Sequence, residues 1–166
     1  MLEVIRSLEP VFTLGALLAL AALRWAQGPY SAWLALLPGT IAHELAHYLI
    51  ALITRSRPKP LSLRLQRTTG GWRLGAVEFA PGVLSGGLVA LAPLYLLPPF
   101  CVLVAMSSRE ASWQYQLAAG YTAVTFLHAA IPSKADWQIA FRYPLGTLLV
   151  LGPPAFVLAN AILSGG

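Results

Sequence analysis

Charged residues are scarce in this chain of 166, at 10%, while hydrophobic residues make up 57%. A soluble domain carries about 25% charged residues, so the composition argues against an ordinary soluble fold and predicts a membrane protein. Cysteine is nearly absent. Cys101 stands alone, which excludes an intramolecular disulfide and says nothing of redox compartment. Internal repeats, low-complexity segments and nucleic-acid-binding motifs are all missing. The net charge of +5 is accounted for by basic loops beside membrane spans, so no nucleic-acid partner is expected. Aspartate occurs once, at Asp136, and histidine three times, at His43, His47 and His128.

What the chain has instead is apolar length. Apolar stretches run over roughly 8–26, 32–53, 83–106, 115–131 and 144–163, each near the ~20 residues that cross ~30 Å of hydrocarbon. The expectation is one all-α polytopic membrane domain over 1–166 with about five transmembrane helices. No small-residue cleavage site follows the first stretch, which therefore reads as a retained span. Five spans put Arg6, Arg55, Arg57, Lys59, Arg64, Arg67, Arg73, Lys134 and Arg142 on one side, and Arg24 and Arg109 on the other. Basic residues stay cytoplasmic. The N-terminus is thus expected in the cytoplasm and the C-terminus outside, in a bacterial inner membrane. Between the second and third stretches, period-two alternation about Thr68, Thr69, Gly70 and Gly71 predicts a small β-hairpin over about 60–79, with an edge suited to an extended peptide. In the third stretch Gly86 and Gly87 offer a surface for close helix approach, and Pro93, Pro98 and Pro99 are expected to bend or break the helix.

The second stretch contains His43-Glu44-Leu45-Ala46-His47, an H-E-x-x-H pattern in an otherwise apolar helix. Residues four apart share a helix face with Cβ atoms about 5–6 Å apart, so both imidazoles can reach one metal ion. Zinc accepts such nitrogens at about 2.0–2.1 Å and keeps a position for water in catalytic sites. Glu44 falls beside that position, where a carboxylate acts as general base. Ionisable groups at a bilayer centre cost about 2.5–3.5 kcal/mol each on insertion scales, and three within five residues point to a buried polar site. For a third protein ligand the sequence offers Asp136, on the side toward which the second span descends past His47, and His128, eight residues earlier. His128 is also a candidate for orienting substrate.

These residues resemble the site-2 protease family of intramembrane metallopeptidases. That family pairs H-E-x-x-H on one span with a later N-x-x-P-x-P-x-L-D-G motif whose aspartate is a zinc ligand. The resemblance covers roughly 32–140 and sets Asp136 on the aspartate, His128 on the asparagine and Ala135 on the leucine. Pro132 stands out of register with the two prolines, and Trp137 replaces the glycine. The resemblance implies a minimal core form, without PDZ or CBS domains. It implies a zinc ion as cofactor and hydrolysis of a peptide bond in or near the membrane segment of a substrate protein, with a partner subunit conceivable. The alternatives are a catalytically silent metal-binding membrane scaffold or interaction subunit, and, with least support, a metal transporter.

Overall fold

The computed structural model describes residues 10–26, 28–61, 66–68, 71–73, 77–106 and 112–164. Seven α-helices follow one another within them: α1 (Pro10–Trp25), α2 (Pro29–Ile53), α3 (Ser85–Ala90), α4 (Leu97–Met106), α5 (Trp113–Ala129), α6 (Lys134–Arg142) and α7 (Pro144–Ser164). A 3-10 segment, Ala92–Leu96, joins α3 to α4. Leu- and Ala-rich runs favour helix throughout, and proline sets the limits. Pro29 opens α2 with its fixed φ, which suits a first turn; Ser31 Oγ–H donates to the Gly28 carbonyl at 2.9 Å just before it. At the other end the Thr54 hydroxyl donates to the Ile50 carbonyl at 2.7 Å.

The expectation of five transmembrane helices is corrected here. Among the described residues one helix, Tyr30–Ile53, is long and apolar enough to cross a membrane. Helix α1 has 16 residues. The stretch 83–106 is divided into α3, the 3-10 segment and α4, because Pro93 and Pro98 each lack the N–H that a continuing helix needs. Helix α5 has 17 residues and opens on polar Gln114 and Gln116. In the last stretch Pro144–Phe156 is a shorter apolar helix among the described residues. The placement of the termini on opposite sides of a membrane was read from the basic residues at the ends of the five stretches. Arg6, Arg64 and Arg109, used for that placement, lie outside the described residues, as do positions 62–65, 69–70 and 74–76 of the expected hairpin. Within that segment the described strands are only three residues each, β1 (Gln66–Thr68) and β2 (Gly71–Arg73), antiparallel with Arg67 opposite Trp72.

The packing is inverted relative to a soluble core. Of the fourteen buried hydrophobic residues described, nine are alanine, whereas Leu14, Leu17, Leu18, Ile53, Leu148, Leu149 and Phe156 are exposed. Helices meet through small residues that let backbones touch. A Cβ built on Gly15 would lie 2.1 Å from the Leu117 carbonyl oxygen, and one on Gly120 would lie 2.1 Å from that of Phe12, so α1 and α5 are in direct contact. Gly87 and Gly146 do the same between α3 and α7, where added carbons would meet Thr147 N at 2.3 Å and Leu84 O at 2.0 Å.

Candidate metal centre

Leu36, Thr40, His43, Glu44 and His47 recur at three- and four-residue steps, so they share one face of α2 and line one side of a cavity of about 320 Å³. Val77 and Phe79 line it from the segment before α3; His128, Ala129 and Ile131 line it from the end of α5; Ser133, Asp136 and Ile139 belong to the α6 side. Glu44, His47 and Asp136 are buried.

Each histidine is held by a backbone carbonyl. His43 Nδ1 lies 2.7 Å from the Ala129 carbonyl oxygen, and His47 Nδ1 lies 2.7 Å from that of Val89. A carbonyl only accepts, so both Nδ1 atoms carry the proton and both Nε2 atoms of the neutral rings present a lone pair. Both carbonyls lie where helices end. Ala129 is the last residue of α5, and Val89, whose carbonyl also accepts a main-chain N–H at the end of α3, has Pro93 four residues on with no N–H to add.

The two Nε2 atoms stand 3.2 Å apart. Asp136 closes a triangle with them, its Oδ1 3.4 Å from His47 Nε2 and its Oδ2 3.6 Å from His43 Nε2. Two lone pairs and a carboxylate so close together repel unless a positive charge lies among them. A tetrahedral zinc with bonds of about 2.05 Å would space its ligand atoms about 3.3 Å apart, and the three separations here bracket that value. His43, His47 and Asp136 therefore form a group able to hold a metal ion.

Asp136 is also the third residue of α6. Ser133 N–H donates to Asp136 Oδ2 at 2.7 Å, and Asp136 N–H donates back to Ser133 Oγ at 3.3 Å. This reciprocal cap fixes the carboxylate where the helix begins. Burial works against its charge, but hydrogen bonds from His43 and His47, where their Nε2 atoms carry a proton, and from the Ser133 N–H outweigh it and hold the carboxyl well below the usual carboxylate range. A metal ion would take the place of those imidazole protons.

Of the residues expected from sequence, His43, Glu44, His47 and Asp136 are brought together. His128 lines the same cavity but is exposed and outside the triangle. Residues not anticipated are Ser133 and the Val89 and Ala129 carbonyls. Ser133-x-x-Asp136 has the pattern of a helix cap, and Pro93 marks the missing donor four residues after Val89, so both left a trace in the sequence. Comparison with protein-family models, with curated proteins and with solved structures finds no match to this chain. The functional reading accordingly rests on the site.

Proposed function

We propose that the chain is a zinc-dependent peptidase of the site-2 protease type, acting on a peptide bond in or near the membrane segment of a substrate protein. The observation that carries this is the triangle of His43 Nε2, His47 Nε2 and Asp136, with both rings locked by carbonyls and Glu44 buried in the same cavity. Membrane residence is supported by α2. Its 25 residues extend about 37 Å at 1.5 Å each, and only 28% of its apolar window is buried, unlike the core helix of a soluble domain.

A bound zinc ion supplies Lewis acidity toward a peptide carbonyl and makes water a stronger acid. The chain's own residues do the rest. Glu44 accepts a proton as water adds to the carbonyl carbon, then gives it to the amine nitrogen as the C–N bond breaks. Asp136, ionised and capped, holds its oxygens still. Leu36, Val77, Phe79, Ile131 and Ile139 make the cavity apolar around these groups, which favours an apolar substrate segment. Access for an extended chain comes from the 77–80 segment. Lys59 N–H donates to Glu78 O and Ala80 N–H to Ser56 O, both at 2.8 Å. A substrate chain would add along this segment on the edge away from residues 56–59.

The test is Glu44→Gln, which keeps side-chain size and removes the proton acceptor. Cleavage of a membrane-anchored reporter in reconstituted vesicles should fall by about 10²–10⁴-fold, with zinc content unchanged in the same samples. An unaltered rate would refute Glu44 as the base. Wild-type protein that binds zinc yet cleaves no reporter would favour the scaffold.

A further inference from the structure

The ring of His43 is aimed by the last carbonyl of α5, so whatever sets the distance between α2 and α5 also sets this ligand. The two helices run parallel and in step. Ala35, Gly39 and His43 face Tyr121, Thr125 and Ala129, making three rungs. On the first rung the Tyr121 hydroxyl donates to the Ala35 carbonyl at 2.8 Å. On the third, His43 Nδ1–H donates to the Ala129 carbonyl at 2.7 Å. The middle rung has no bond to offer and depends on absence of bulk. A Cβ on Gly39 would lie 2.3 Å from the Thr125 carbonyl oxygen and 3.1 Å from Ala129 Cβ. The nearer obstacle is backbone, which cannot rotate aside, so any side chain at position 39 must drive the helices apart one turn from His43.

We propose that Gly39 is a positioning residue of the metal centre. By admitting α5 to backbone contact it keeps the Ala129 carbonyl within reach of His43 Nδ1, which fixes both the tautomer and the aim of Nε2. The inference concerns the ligand's geometry and rests on the metal reading for only one of its two readouts.

The experiment compares Gly39→Ala with Gly15→Ala in the purified full chain in detergent. Gly15 makes an equally close crossing with the same helix α5, 2.1 Å from the Leu117 carbonyl to an added Cβ, but α1 carries no metal ligand. Zinc affinity is measured by competition with a chromophoric chelator, and the His43 tautomer by ring ¹⁵N shifts of the metal-free protein. Gly39→Ala should bind zinc about 10–100-fold more weakly, the usual cost of losing an outer partner of a ligand, and should populate the Nε2–H tautomer at His43. Gly15→Ala should lower the unfolding temperature and leave both readouts as in wild type. Equal zinc affinities and tautomers in Gly39→Ala and wild type would overturn the proposal, and so would equal losses in both variants. If Gly39→Ala fails to fold, Tyr121→Phe replaces it. Loss of one hydrogen bond on the neighbouring rung should weaken zinc up to about five-fold, and no change would overturn the proposal. A wild type that binds no zinc yet holds the Nδ1–H tautomer, lost in Gly39→Ala, would remove the peptidase reading and support this one.

Discussion

Replacing Asp136 separates its two tasks, because Asn and Ala remove different parts of it. Asn keeps a carbonyl oxygen that can still accept from the Ser133 N–H, which stands 2.7 Å from Oδ2, but loses the negative charge that faces both imidazoles at 3.4 and 3.6 Å. Ala loses charge and cap together. Disturbing only an outer partner of a ligand costs about 10–100-fold in metal affinity, so removal of a ligand itself should exceed about 100-fold in both variants. That is more than about 2.7 kcal/mol at 1.36 kcal/mol per tenfold. Stability of the metal-free chain should divide them. Asp136→Ala should lose about 1 kcal/mol, the typical worth of a helix cap. Asp136→Asn should lose less than Asp136→Ala, since it keeps an oxygen for the Ser133 N–H. Chelator competition in detergent gives the affinities, and thermal unfolding followed by circular dichroism in excess chelator gives the stabilities. Zinc affinity within a few-fold of wild type in Asp136→Asn would refute Asp136 as a ligand and turn attention to His128.

Pro93→Ala restores an N–H four residues after Val89 that competes with His47 for its carbonyl, so zinc affinity should drop by roughly 10-fold or more; the same chelator competition measures it, and unchanged binding would show that His47 does not need this anchor. The chain expressed in cells should stay with the membrane pellet after an alkaline carbonate wash, which strips peripheral proteins; release into the supernatant would contradict the proposed membrane residence of α2.

The site was more legible in the sequence than the fold. H-E-x-x-H on a helix fixes the relative positions of His43, Glu44 and His47 by periodicity alone, and Asp136 stood out as the one aspartate of the chain. The prolines of the third stretch were expected to bend or break the helix and they do, but counting spans by hydropathy still took the stretch as one. Pro93 and Pro98 turn one apolar stretch into three pieces although the intervening residues remain apolar. The anchors on both imidazoles were hidden for another reason. They are main-chain carbonyls, which every residue possesses, and only the path of the chain decides which ones reach a histidine. Gly39 was equally silent, since a glycine one turn before a motif reads as ordinary until its neighbour Thr125 is known.

The break at Pro93 has a consequence for anyone who would make this protein sturdier. Mending an interrupted helix by exchanging proline for a better helix former is a standard route to stability, and here it would give back a helical turn between α3 and the segment after it. The same repair would bring one more main-chain donor to the Val89 carbonyl, in competition with His47 Nδ1–H, and loosen the His47 ring. In this chain the imperfection of a helix holds a side chain in place, and a variant selected for heat resistance alone would be drawn toward losing its metal.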